Sequence, residues 1–273
     1  MNLDTFAKLA NAIRQDVMVM LSISGSGHSA GPLGMADVFT ALYFSVLRHD
    51  PQRPDWRDRD RVVLSNGHIC PVLYATLANA GYFKREELQT LRQLGSRLQG
   101  HPHYGYLPGV ENNSGPLGSG LSQAVGMAIF LKPQIYCLLS DAEQQCGQTW
   151  EAVMLAGKLK LANLTAIIDR NNIQISGSTE EVMPIEPLKD KYRSFNWEVL
   201  EIDGHNIEEI IDACNHAKAI THKPVAIIAH TIPGKGVKFM EYDFFWHGKS
   251  PTLQQAKIAL HQLRTLGGKI EFE

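Results

Sequence analysis

Ile135-Tyr136-Cys137-Leu138-Leu139 runs into Ser140-Asp141-Ala142, and Leu164-Thr165-Ala166-Ile167-Ile168 runs into Asp169-Arg170-Asn171-Asn172-Ile173. Each apolar run has the length of a buried strand, and residues 147–161 between them read as a helix. The unit is strand, crossover helix, strand, with oxygen donors just past both carboxyl ends. Ligands of open parallel sheets bind outside those ends. Asp141 and Asn171 there suit Mg²⁺ or Ca²⁺, hard cations that also hold phosphate groups. Local turn bonding by the same Asp and Asn is the alternative reading.

The chain has 273 residues, a formal charge of -2 and 20% charged residues. There is no basic stripe of the kind that marks a nucleic-acid surface. The charges between Arg48 and Arg61 nearly cancel and read as a solvated loop. No apolar run reaches membrane length, and the first residues lack the pattern of a signal peptide. Cys70, Cys137, Cys146 and Cys214 have no metal-site spacing. They suit a reducing, cytoplasmic setting, where free cysteines pack as small hydrophobes.

Outward from the central unit, apolar residues at helical spacing predict a helix from Asp4 to Ser24. A glycine-rich loop from Ser26 to Gly34 carries His28, and a helix follows from Ala36 to Leu47. Val62-Val63-Leu64 reads as a strand that ends at Ser65-Asn66-Gly67-His68. Helices are expected at 71–80, 84–94 and 121–130. The stretch from Ile173 to Phe195 reads as irregular. A strand at 198–202, a helix at 207–219, a strand at 225–229 and a helix at 253–266 complete the chain. Alternating strands and helices imply one α/β domain over residues 1–273, with a mostly parallel sheet flanked by helices.

Four histidines, His28, His68, His101 and His247, sit in glycine-bearing loops near element ends. Histidine exchanges protons near neutral pH and bonds sugar oxygens or phosphate. Their spacing alone does not say whether they meet. Ser26-Gly27-His28 through Pro32-Leu33-Gly34-Met35-Ala36-Asp37 resembles the first signature of transketolases. Leu64-Ser65-Asn66-Gly67-His68, Gly100-His101-Pro102, Gly115-Pro116-Leu117-Gly118, Asp203-Gly204-His205, Lys235-Gly236 and His247-Gly248 resemble further signatures in order. Asp141 with Asn171 is similar to the metal and diphosphate motif of thiamine diphosphate enzymes. The resemblance spans about residues 5 to 255.

The resemblance implies a thiamine diphosphate-binding fold and the cofactors thiamine diphosphate and Mg²⁺, with Ca²⁺ as a substitute. The metal ligands it implies are Asp141, Asn171 and the carbonyl of Ile173. Cofactor contacts are implied for His68, Gly115, Pro116, Leu117, Asp141, Ala142, Glu143, Asn171, Ile175 and His247. Catalytic roles are implied for His28, His68, His101 and His247. Glu151 matches a family glutamate that communicates across the subunit interface. The implied reaction moves a two-carbon ketol unit from a ketose phosphate to an aldose.

The resemblance covers the diphosphate-binding domain of a transketolase and none of its pyrimidine-binding domain. It therefore implies a separately encoded partner subunit, an α2β2 heterotetramer, sugar phosphate substrates, and no nucleic-acid or membrane partner. Ser140 and Ala142 replace family glycines beside the metal Asp, and Cys146 replaces a glutamate. His103 and Arg170 each stand where family members carry an acid. These departures leave open a regulatory or structural paralogue without cofactor, distinguished by its failure to hold thiamine diphosphate. A related synthase subunit would instead use pyruvate as donor.

Overall fold

The computed structural model describes residues 2–264. Its strands are β1 (Arg61–Leu64), β2 (Ile135–Ser140), β3 (Leu164–Arg170), β4 (Ile173–Gln174), β5 (Gly177–Ser178), β6 (Glu198–Asp203) and β7 (Val225–His230). Five form one parallel sheet in the order β1-β2-β3-β7-β6, and β4 with β5 makes a small antiparallel hairpin. β2 and β3 are buried along their whole length, as expected of parallel strands covered on both faces. Edge strand β1 is closed by a side chain. The Leu64 N–H donates to Asn112 Oδ1 at 3.1 Å, and Asn112 Nδ2 donates back to the Leu64 carbonyl at 3.2 Å.

The helices are α1 (Leu3–Ser24), α2 (Ala30–Gly34), α3 (Ala36–Ala41), α4 (Cys70–Asn79), α5 (Ser119–Phe130), α6 (Gly147–Leu159), α7 (Thr179–Val182), α8 (Leu188–Ser194), α9 (Ile207–Ala219) and α10 (Leu253–Arg264). Strand residues alternate between two cores. Val62, Leu64, Tyr136, Leu138, Ile167 and Ile227 pack with α1, α3, α4 and α9. Val63, Cys137, Leu139, Ala166, Ile168 and Ile228 pack with α5, α6 and α8. The period of two in the strands thus builds three layers, helices over sheet over helices. The expected α/β fold with a largely parallel sheet is what the chain adopts.

α1 shows how local signals set an element. Asn2 accepts the Thr5 N–H at 2.9 Å as N-cap, and Gly25 ends the helix in a left-handed conformation with φ 64°. The stripe Phe6, Ala10, Ile13, Val17 and Met20 faces inward.

Three expectations change. The helix at 84–94 is a 3₁₀ stretch over Arg85–Thr90, because Arg92 takes a left-handed backbone (φ 61°) and Leu94 is fully exposed. The 173–195 region is not irregular: it holds the β4–β5 hairpin, α7 and α8, with Leu188 and Tyr192 of α8 buried. The 48–61 loop is only partly solvated, since Arg59 and Arg61 pair with buried Glu111 and Asp60 binds the backbone of Arg48 and Gln134. The last helix is described to Arg264, and its expected end at 266 lies outside the described residues.

Candidate active site

Strand register builds the first part of the site. Ser140 lies opposite Asp169, and the Asp141 N–H donates to the Asp169 carbonyl at 3.1 Å. Asp141 and the Asp169-Asn171 turn therefore leave the sheet side by side. Asp141 is fully buried. Its Oδ2 accepts from Arg170 Nη1 (3.0 Å), the Asn172 N–H (2.7 Å) and Thr179 Oγ1 (3.3 Å). Its Oδ1 accepts from the Ala142 N–H at 2.6 Å. Burial raises the Asp141 carboxyl pKa, opposed by the Asn172 N–H and Arg170.

Asn171 is held by its neighbour. Its Nδ2 donates to Asp169 Oδ2 at 2.8 Å, so its carbonyl oxygen faces the other way and accepts the Ile173 N–H at 3.0 Å. Asp169, wholly buried, is raised to about 7 by burial, against a hydrogen bond from Thr231 and aided by the charge of Asp141. One carboxylate oxygen with spare lone-pair capacity, one oriented amide oxygen and a main-chain carbonyl are a donor set for a hard cation. Among the described residues no trio of His, Cys, Asp and Glu forms an alternative metal cluster. Ser140, Asp141 and Ala142 all avoid positive φ, so replacing the glycines of the resemblance costs no backbone strain. Ser140 Oγ in fact accepts the Glu143 N–H at 3.3 Å.

Glu143 is also fully buried. Its carboxylate accepts from Ser65 Oγ, from the Gly118 N–H and, at 3.2 Å, from the Ser140 N–H. One side chain thus ties the ends of β1 and β2 to the loop before α5. Gly118 (φ 83°) completes that junction: a Cβ there would lie 2.7 Å from Gln148 and 3.0 Å from Cys146. The bonds found for Glu143 make it a scaffold residue. Of the 115–117 loop, Gly115 has φ 150° and Pro116 is exposed.

The histidines do converge. Ring centroids are 4.9 Å apart for His28 and His68, 5.2 Å for His68 and His247, and 5.6 Å for His28 and His247. His101 packs against the Gly67 backbone beside them, where a Cβ would be 3.2 Å from its Cδ2. The Nδ1 atoms of His28 and His247 are buried and have no hydrogen-bond partner among the described residues. Burial, then the neighbouring His247 and Arg92, pushes His28 down to about 4. Burial alone pushes His247 down to about 4. Burial and its histidine neighbours hold His68 well below the usual range, and burial with Arg92 lowers His101. The cluster is neutral at pH 7, and each ring can both donate and accept. Ile175 is 70% exposed, and its Cγ1 lies 3.9 Å from where a Gly248 Cβ would sit, a point 3.7 Å from His28 Nε2. The hairpin that follows Asn171 thus brings Ile175 up to Gly248, which adjoins His28.

Sequence reasoning missed the residues that hold this arrangement. Asp37, which stood above as the end of the first signature, is buried and paired with Arg14 and with His205 Nδ1 at 2.7 Å. His205 Nε2 accepts the Ile232 N–H at 2.7 Å, which fixes the proton on Nδ1. Burial works to raise the Asp37 carboxyl, but Arg14 and His205 outweigh it and leave it lowered. Arg92, the basic group facing His28 and His101, lay inside an expected helix. Arg170 read only as a departure from a pattern. Glu151 is exposed on α6, on a face with exposed Met154, Leu155 and Leu159.

A parallel α/β sheet with buried Asp141 and Asn171 past two strand ends, and imidazoles of lowered pKa nearby, is the kind of site a phosphate-bearing cofactor of an α/β enzyme occupies. Residues 5–268 match the family model for the transketolase thiamine diphosphate-binding domain. The chain belongs to the transketolase family, as a transferase-type chain of that domain. It is 43% identical over 263 residues to a 6-deoxy-6-sulfo-D-fructose transketolase subunit of a Clostridium species (strain MSTE9), covering 94% of this chain and 96% of that one. It is 40% identical to an apulose-4-phosphate transketolase subunit of Phocaeicola vulgatus, covering 100% of this chain and 99% of that one. The solved transketolase from Campylobacter jejuni superposes with TM-score 0.90 at 36% identity, over 97% of this chain and 43% of that chain. The chain thus spans nearly all of these subunit-type relatives but under half of that solved transketolase.

Proposed function

We propose that the chain is the N-terminal subunit of a split transketolase, moving a two-carbon ketol unit from a ketose phosphate to an aldose acceptor. The observation that carries this is the convergence of His28, His68 and His247 beside the hard-cation corner. The two relatives covered almost end to end are both named as transketolase subunits, which supports a separately encoded partner. The exposed apolar face of α6 around Glu151, with Ile129 and Phe130 of α5, supports a protein contact there. An α2β2 assembly is the form we favour.

Asp141, Asn171 and the Ile173 carbonyl would hold Mg²⁺, and through it the diphosphate. Ala142, Gly115, Pro116 and Leu117 would border the cofactor, with Ile175 as an apolar wall and Glu143 holding these segments in place. When bound, thiamine diphosphate supplies the carbanion chemistry that opens and re-forms the sugar carbon–carbon bond. The chain's own work is proton management. Cleavage of a ketose needs a base at its C3 hydroxyl, and the return step needs an acid at the acceptor's carbonyl oxygen. A neutral imidazole takes that proton and gives it back. His28, His101 and His247 fill this role and orient sugar oxygens, while His68 serves the cofactor side. The unpartnered Nδ1 atoms of His28 and His247 are what such a site needs before substrate arrives.

The test is co-expression with the companion subunit, followed by assay with Mg²⁺, thiamine diphosphate and ketose phosphates. Ketol transfer only by the paired chains is the expected result. Turnover of pyruvate instead would favour a synthase subunit, and a paired complex that holds no cofactor would favour a regulatory paralogue.

A further inference from the structure

Arg170 is nearly buried, with 5% of its surface exposed, and it touches three acids on different segments. Nη1 donates to Asp141 at 3.0 Å, and Nη2 donates to Glu180 at 2.8 Å and Glu186 at 3.0 Å. Glu180 lies on α7, and Glu186 lies just before α8. Both acids also bind local main chain, Glu180 the Ile185 N–H at 3.4 Å and Glu186 the Leu188 N–H at 2.7 Å. Thr179 adds a second tie, donating through Oγ1 to Asp141 and through N–H to the Asn172 carbonyl at 3.0 Å. Gln145, four residues past Asp141, reaches Gln174 at 2.9 Å and the Met183 carbonyl at 2.8 Å. The 173–186 segment is therefore fastened to the Asp141 corner by Arg170, Thr179 and Gln145, and of these Arg170 alone joins Asp141 to both acids of the segment. It carries Ile175 to the histidine cluster and also exposes Val182 and Met183.

We infer that Arg170 is a positioning residue that couples the metal carboxylate to the segment bearing Ile175, so that the cation corner and the apolar wall of the site form together. Asp141 is a carboxylate without solvent exposure, and such a group needs a fixed cationic or hydrogen-bonding partner. Arg170 supplies one to Oδ2, and Oδ1, which accepts the Ala142 N–H, keeps a lone pair for a cation. A planar guanidinium can serve an acid on each of several segments at once, which an ammonium does poorly. A residue that orients a metal ligand acts on affinity as strongly as many ligands do. This inference rests on the cofactor reading for its metal half, but the fastening of the segment stands apart from it.

The test uses the full chain, with Mg²⁺ and thiamine diphosphate as titrants and amide hydrogen exchange as a second readout. Arg170→Met should weaken cofactor binding by about 10-fold or more and speed exchange across residues 174–186. Exchange in β2 and β3 should stay as slow as in the unaltered chain. Arg170→Lys should recover the binding in part and the exchange protection little. Glu180→Gln with Glu186→Gln spares the Arg170–Asp141 pair and should free the segment while costing less affinity. That double variant also carries the test if Arg170→Met loses protection in the central strands and so fails to fold. Unchanged exchange in 174–186 for a folded Arg170→Met chain, or for the double variant, would overturn the coupling. Wild-type affinity in folded Arg170→Met would overturn its metal half. If the unaltered chain, paired with its companion subunit, binds no thiamine diphosphate, the functional reading fails instead, and the exchange result still judges the fastening.

Discussion

The Asp141–Asn171 corner and the histidine cluster lie toward the carboxyl ends of the strands and are built in opposite ways. At the corner Asp141, Asn171, Asp169 and Arg170 are all engaged with one another or with main chain. In the cluster, three imidazoles face each other within 5.6 Å, and two of them keep a buried nitrogen without a partner among the described residues. A densely bonded network fixes positions before a ligand arrives, which suits a charged anchor. An unsaturated neutral cluster leaves its bonds to be made by the substrate. The contrast teaches that one site can store its rigidity and its reactivity in separate places.

Several variants would break or sharpen that contrast. The largest effect is expected at the corner: Asp141→Ala should lower Mg²⁺-thiamine diphosphate affinity by on the order of 100-fold, because it removes an anionic ligand and one of the three acids that hold Arg170. Calorimetric titration of the paired subunits reads it, and near-native affinity would remove Asp141 from the metal site. In the cluster, His247→Asn should cut turnover by about 100-fold with cofactor affinity changed much less. If affinity falls as far as turnover, the two regions do not divide the work as described.

Between the regions, Glu143→Ala would leave two buried main-chain N–H groups and the Ser65 hydroxyl without their acceptor. A loss of about 3 kcal/mol in urea unfolding is expected, and a loss below about 1 kcal/mol would mean the junction does not depend on this carboxylate. The smallest effect is a pH slope. His28 and His247 stay neutral in the folded chain down to about pH 4, whereas their ordinary value is 6.5. Between those values the unfolded chain binds more protons, so stability is complete above about 6.5 and is lost as pH falls toward 4. Replacing both with asparagine should flatten this slope in urea titrations at pH 4.5 to 7, and a slope that persists would assign acid sensitivity to the carboxylates.

The strands and most helices were legible because hydrophobic pattern reports burial directly. Ile135 to Leu139 and Leu164 to Ile168 are apolar because both their faces are covered. The expected helix at 84–94 misled because its apolar spacing also serves a 3₁₀ stretch, which ends at Thr90 before the left-handed Arg92. α8 was overlooked because only Leu188 and Tyr192 carry its buried side.

At the site, residue type and motif order singled out Asp141, Asn171 and the four histidines, and the fold brings His28, His68 and His247 together with His101 beside them. Asp and Asn past strand ends, and histidines in glycine loops, carry their chemistry in their side chains. The sequence by itself thus determined the layered α/β fold, the family and the set of groups available for chemistry. Only the tertiary structure decided their partners. It turned Glu143 into a junction, paired Asp37 with His205 across 168 positions, and placed Arg170 between Asp141 and the segment carrying Ile175. The physical reason is that a hydrophobic run needs only to be buried somewhere, whereas a buried charge needs one particular neighbour, and that neighbour arrives through the fold rather than along the chain.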